Sequence, residues 1–220
     1  MTLQQQAGAA MSAPVSGRFV PATEPYPWPY DGILSCARLA LVVAGGQRWW
    51  VDRTQEPMVA LDALARLRHV ARVAGALVLL LDHIAPPSAH RGRRFVPTRD
   101  DRGADLAVLP DAGDLVISAA GLDGFYGSAL DTALRSAGRD RLLVAGLGLE
   151  GPVHSTLRSA NDRGYECLLV ADACSCADPV LRAGAITSVL MSGGIFGAVG
   201  GIDAVCAALA KNSTVKEVTK

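Results

Sequence analysis

The chain alternates between two periodicities. Short runs that are apolar almost without interruption are separated by longer segments with apolar residues at helical spacing. The short runs are RLALVVA (Arg38–Ala44), ALVLLLD (Ala76–Asp82), DLVIS (Asp114–Ser118), RLLVAG (Arg141–Gly146), YECLLVAD (Tyr165–Asp172) and, weakest, GIFGAVG (Gly194–Gly200). The helical segments are Pro57–Gly75, Ser128–Asp140, Pro152–Arg163, Asp178–Met191 and Ile202–Lys211. Their punctuation agrees: Pro57 opens the first and Gly75 closes it, Gly138 and Gly164 stop two others, and Pro179 stands near the start of a fourth. Strands apolar on both faces, alternating with amphipathic helices, predict a three-layer α/β/α fold. Its sheet is expected to be mostly parallel, about six-stranded and doubly wound in the Rossmann manner. Ligands of such sheets bind beyond the carboxyl ends of the strands, which fall at Ala44–Gln47, Asp82–His83, Ser118–Ala120, Gly146–Gly151 and Asp172–Cys176.

The flanks read differently. Residues 1–23 are low in charge and rich in Ala, Gly, Pro and Gln, and are expected to be a flexible tail. Residues 24–37 contain EPYPWPYDG, whose prolines stiffen the backbone while Tyr26, Trp28 and Tyr30 seek burial, so they are expected to form an ordered arm. One domain over 38–211 and a tail over 212–220 complete the organisation. The arm aromatics and Trp49–Trp50 are more apolar surface than a monomer of this size exposes, which predicts an oligomer.

Composition narrows the function classes. In 220 residues, half hydrophobic and 19% charged, there is material for one substantial core. Zero net charge gives no electrostatic footprint for nucleic acid or an anionic membrane, and neither is expected as a partner. The apolar run Ala74–Leu81 is too short to span a bilayer. The N-terminus lacks a basic start followed by an apolar stretch, so no export leader is expected. Five cysteines, an odd number, fit reduced thiols and a cytoplasmic location.

Candidate chemistry is sparse. GLGLEG (Gly146–Gly151) fits a dinucleotide fingerprint by pattern, but it follows a late strand, and a tight strand-to-helix turn explains it better. Asp82, His83 and His90 offer two histidines seven apart with no third ligand at a fixed spacing, so no metal is expected. Arg91, Arg93 and Arg94 suit a carboxylate or phosphate, though a solvated loop or an interchain ion pair is the commoner use. No Ser-His-Asp arrangement and no G-x-S-x-G is present, and no cofactor is expected.

Longer stretches carry a resemblance. PYPWPYDG, ALVVAGGQRWW (Ala40–Trp50), GFYGSALDTALRSAGRDRLLVAG (Gly124–Gly146), VHSTLRSANDRGYECLLVADAC (Val153–Cys174) and GGIFG (Gly193–Gly197) together resemble the isochorismatase-like cysteine hydrolases, nearest to their biuret and ureido-type amidohydrolases. The resemblance implies the isochorismatase-type sheet and, in active members, a cysteine nucleophile, an aspartate base and a lysine. At the matching positions stand Pro152, Gly45 and Ala119, and the turn that forms the family's oxyanion site matches Leu147, Gly148 and Leu149. The chain is therefore expected to be a catalytically degenerate relative. It would act as a structural or regulatory subunit, beside itself or an active paralogous hydrolase, or bind a small amide or ureido ligand. Gln47, Trp50, His83, Phe125, Gly148, Leu149 and His154 are the expected cleft lining. The alternative is an active C–N amidohydrolase with displaced groups, Cys174 or Cys176 as thiol and Asp172, His83 or His154 as its partner. A nucleotide-binding module using the glycine turn is a third possibility.

Overall fold

The structure, a computed structural model, describes residues 18–84 and 106–217, with side chains of the last helix through Lys211. The predicted strands form one sheet: β1 (Leu39–Ala44), β2 (Leu77–His83), β3 (Leu115–Ala119), β4 (Arg141–Leu147), β5 (Glu166–Ser175) and β6 (Ala198–Gly200). Their order is β3-β2-β1-β4-β5-β6, and every pairing is parallel. β1 and β4 are adjacent at the centre and buried along their whole lengths, which is why LALVVA and RLLVAGL carry almost no polar residue.

The helices are α1 (Arg48–Val51), α2 (Pro57–Val73), α3 (Leu130–Ser136), α4 (His154–Asp162), α5 (Arg182–Gly194) and α6 (Ile202–Glu217). The β1–β2 crossover through α2 and the β4–β5 crossover through α4 run in opposite directions along the sheet. Right-handed connection then places them on opposite faces. α6 packs on α2, and α5 packs beside β6. The topology reverses between β1 and β4, so the loops after these two strands flank a crevice at the carboxyl edge.

Several boundaries differ from the sequence reading. The helix predicted from Pro152 begins as an α-helix only at His154, after a π-helical turn over Leu149–Val153. The reason is covalent. An α-helical bond to the Gly148 carbonyl would come from residue 152, and proline has no N–H to give. The Val153 amide donates to that carbonyl instead, at 3.4 Å, one residue further on. The last strand shrinks to Ala198–Gly200 because Gly193, Gly194 and Gly197 take φ of +78°, +87° and +126°. α5 breaks at Met191–Gly193, and α6 continues past Lys211 to Glu217.

From Arg18, where the described residues begin, the arm folds on its own domain. Glu24 exchanges backbone hydrogen bonds with Val199, covering the edge of β6, and Thr23 Oγ1 closes the loop onto Tyr26 O and Trp28 N. Trp28 and Trp50 are buried in the core, and Tyr26 and Trp49 pack against it half-buried. These aromatics therefore do not carry the surface argument for an oligomer; of them only Tyr30 is broadly exposed. Asp31 pairs with Arg141 at 2.6 Å, fastening the arm to the start of β4.

Candidate functional site

Two of the three positions that matter most, Gly45 and Pro152, meet at the crevice, and Ala119 lies two strands away on β3. Gly45 follows β1 with φ +68°. A Cβ built there falls 1.9 Å from the Leu147 carbonyl oxygen and 3.2 Å from Pro152 Cγ. The backbone of β4 and the proline ring thus occupy the space that any side chain at residue 45 requires. Ala119, the last residue of β3, is fully buried, and Pro152 and Leu149 are buried too. From the other side the indole of Trp50 lies across the turn. A Cβ on Gly148 (φ +69°) falls 2.4 Å from Trp50 Cε3, and one on Gly151 falls 3.0 Å from Cη2. Gly148 and Gly151 of GLGLEG thus make room for a tryptophan, and the turn is filled by protein.

The polar groups left at the strand ends are Gln47, Asp82 and His83, all buried. Gln47 Nε2 donates to Leu81 O at 3.2 Å and reaches Asp82 Oδ1 at 3.5 Å. His83 Nδ1 lies 2.8 Å from Gly121 O, an acceptor, so Nδ1 carries the proton and Nε2 is buried with no hydrogen-bond partner. Burial pushes the imidazole down to about 4, so it is neutral at pH 7. Among the described residues no group of three or more His, Cys, Asp or Glu is placed to hold a metal ion. His90, Arg91, Arg93 and Arg94 lie outside the described residues.

Two predicted lining residues point elsewhere. The Phe125 ring sits 5.7 Å from that of Tyr165, with the Arg163 guanidinium over it at 4.8 Å. His154 is half-buried at the α4–α5 junction, 6.5 Å from the Phe196 ring, and burial followed by the nearby Arg158 charge lowers its pKa. The displaced-thiol set is also spread out. β2 and β5 are separated by β1 and β4, three strand spacings or about 14 Å, so His83 does not reach Cys174 or Cys176. Asp172 accepts from the Ile202 amide at 2.7 Å. Cys174 Sγ donates to Val170 O, and burial pushes that thiol up to about 12. Cys176 stands beside Glu150; burial first, then that carboxylate, pushes its thiol up to about 11.

Beyond the filled turn lies a cavity of about 630 Å³, walled by Trp49, Trp50, Arg53, Leu122, Glu150 and Leu181 among others. Its walls follow β1, β3, β4 and β5, placing it at the carboxyl edge. Arg53 stacks on Trp49 at 3.8 Å, and Glu150 Oε1 accepts the amides of Ala177 and Asp178 at 2.8 and 3.1 Å. Of the lining expected from sequence, only Trp50 borders it. Trp49, Arg53, Leu122 and Glu150 were missed because they come from three different connections; the Trp-Trp pair was the one visible signal.

A parallel sheet in this order, with a cavity outside its carboxyl ends at the switch point, defines a doubly wound α/β protein. Within that class the chain belongs to the isochorismatase family, whose domain model matches residues 40–199. It is 36% identical over 84 residues to a ureidoacrylate amidohydrolase RutB of Methylorubrum extorquens, covering 38% of this chain and 34% of that protein. It is 34% identical over 114 residues to the enzyme of the same name from Serratia proteamaculans, covering 51% of this chain and 45% of that one. The match thus spans less than half of either relative. A cysteine hydrolase from Pseudomonas syringae superposes with TM-score 0.72 at 21% identity, covering 92% of this chain and 100% of the other. N-carbamoylsarcosine amidase from Thermoplasma acidophilum superposes with TM-score 0.63 at 24% identity, covering 76% and 97%. These likenesses establish the fold.

Proposed function

We propose that this chain is a non-catalytic member of its family, a binding or regulatory subunit that takes a small planar amide or ureido molecule without cleaving it. The observation that carries the reading is the occupied crevice at Gly45. Acyl transfer from an amide needs a nucleophile next to a base, and an acidic side chain at residue 45 collides with the Leu147 carbonyl before it reaches the site. Pro152 supplies neither group, and Ala119, fully buried, supplies no cation. The cavity supports binding: 630 Å³ suits a small molecule, two indoles offer flat apolar walls, and Arg53 brings a positive charge beside the carboxylates of Glu150 and Asp178. One contact favours the second reading, an amidohydrolase working through Cys176, because Glu150 adjoins that thiol and also lines the cavity. A thiol held near 11 is thiolate in about one molecule in ten thousand at pH 7, which weighs against it.

The test pairs turnover with binding. Purified protein is incubated with ureidoacrylate, biuret and nicotinamide, ammonia release is followed, and thermal shift is recorded with each compound. The expected result is release no faster than the blank, with a raised melting temperature for at least one compound. Ammonia release that disappears in Cys176→Ala establishes the second reading and overturns the first. Neither turnover nor a shift leaves a subunit role without a small ligand, which copurification with a catalytic relative from the same cell then decides.

A further inference from the structure

A second cavity, of about 380 Å³, lies between the start of α2 and the end of β5, walled by Thr54, Glu56, Asp172, Cys174, Cys176 and Arg182 among others. All five cysteines are free thiols, and two of them stand in this wall. Ser175, the last residue of β5, separates the pair. In an extended chain the residues on either side of such a residue project from the same face. Both thiols are buried, at 5% and 6% exposure. Their surroundings are charged. Arg182 is turned inward, donates to Cys174 O at 2.8 Å and Ala171 O at 2.7 Å, and acts on both thiols. Asp172 stands near Cys174, and Glu150 stands beside Cys176. One guanidinium against two carboxylates leaves this wall net negative, a setting that draws a cation.

We propose that Cys174 and Cys176 form a two-thiolate site for a soft monovalent metal ion, copper(I), reached through this cavity. Spacing sets aside the other use of a thiol pair. Two residues along an extended chain advance about 6.6 Å. A disulfide needs its Cβ atoms about 3.8 Å apart, so the end of β5 would have to buckle by about 3 Å. Two sulfur–metal bonds of about 2.3 Å hold the sulfurs about 4.6 Å apart, which each side chain reaches by leaning about 1 Å toward the other. Ligand count then selects the ion. Among the described residues no third His, Cys, Asp or Glu completes a metal group here, so four-coordinate zinc lacks its ligands. Copper(I) prefers sulfur and is satisfied by two thiolates. Each thiol gives up its proton as its sulfur bonds the ion, so one ion displaces two protons and no electron is transferred. Cys174 Sγ also gives up its hydrogen bond to Val170 O. The Arg182 guanidinium offsets the second thiolate. The site stands whether or not the cavity beside Trp49 and Trp50 takes an amide.

The experiment titrates copper(I) without oxygen into the reduced full chain, in competition with a chromophoric copper(I) chelator. The same titration is run on Cys174→Ser, Cys176→Ser, Cys36→Ser and Cys206→Ser. Serine keeps a hydrogen to donate, so Cys174→Ser can still bond Val170 O, and thermal melts check that each variant folds. The expected result is one ion per chain. Either Cys174→Ser or Cys176→Ser should lower the affinity more than about 100-fold, beyond what loss of an outer contact of a metal site does. Cys36→Ser and Cys206→Ser should leave it unchanged. Two measurements on the unaltered protein read the site without a substitution. X-ray absorption should show copper with two sulfur neighbours, and a weakly buffered titration at pH 7 should release about two protons per ion. Failure to compete with the chelator, tight binding that survives in Cys174→Ser or Cys176→Ser, or an equal loss in Cys36→Ser or Cys206→Ser overturns the proposal. So does copper with a single sulfur neighbour, or release of about one proton or none.

Discussion

Replacing Gly45 with alanine tests the closed crevice directly. Two costs combine. The residue sits at φ +68°, where a side chain costs about 1 kcal/mol or somewhat more. The added methyl also falls 1.9 Å from the Leu147 carbonyl oxygen, more than 1 Å inside contact distance, and that atom is backbone at the end of a central strand. Relief requires β1 and β4 to separate where Ala44 pairs with Gly146. Overpacking of this kind costs about 1–3 kcal/mol and a lost ladder hydrogen bond about 1 more. The sum is about 3–5 kcal/mol, which in a domain of this size lowers the melting temperature by roughly 6–20 °C. Gly138→Ala is the matched control: its φ is +65°, yet nothing lies within 4 Å of the added Cβ, so it pays the backbone cost alone. Paired calorimetric melts measure both. If Gly45→Ala loses no more stability than Gly138→Ala, the crevice has room for a side chain, and the reading of residue 45 as structurally closed is wrong.

Two further outcomes follow from buried groups. Because His83 is held near 4 when folded and returns to about 6.5 when unfolded, the unfolded chain takes up the proton first as pH falls. The stability that depends on its neutral form is complete above about 6.5 and is lost on the way down to 4, amounting to about 2 kcal/mol by pH 5. Urea titrations at pH 7.5 and 5 should show a smaller pH loss for His83→Gln than for the wild type, and parallel losses would remove His83 as the cause. Asp114, whose side chain is fully buried, accepts from Arg68 at 2.6 Å and Arg72 at 2.9 Å and ties α2 to the approach to β3. Asp114→Ala leaves the buried Arg68 guanidinium with Asp111 at 3.0 Å and the Leu109 carbonyl as acceptors, and the lost charged hydrogen bonds should cost about 1.5–3 kcal/mol. Asp203→Ala, at the exposed pair with Arg66, should cost less than about 1 kcal/mol. Equal shifts in the urea midpoint would refute the distinction.

The layered fold was legible in the chain because its cause is local. A strand buried on both faces must be apolar at every position, as LALVVA and RLLVAGL are, and a helix covering one face must repeat near 3.6, as α2 does. The glycines and prolines at the turns mark where that repetition stops. The residues at positions 45, 119 and 152 were equally plain, being single letters in recognisable frames. What they do to the site was not. That Gly45 is glycine because the Leu147 carbonyl lies where its Cβ would go depends on the pairing of two strands about a hundred residues apart. Proline at residue 152 looked like the first residue of a helix. Only the position of the Gly148 carbonyl relative to the missing N–H made the turn π-helical and moved the helix start to His154. Of the cavity only Trp50 was legible, since its walls come from connections after four strands that meet only once the sheet is ordered. Periodicity records which face of an element is buried; it carries nothing about which distant segment buries it, and that is what closed the crevice and opened the cavity beside it.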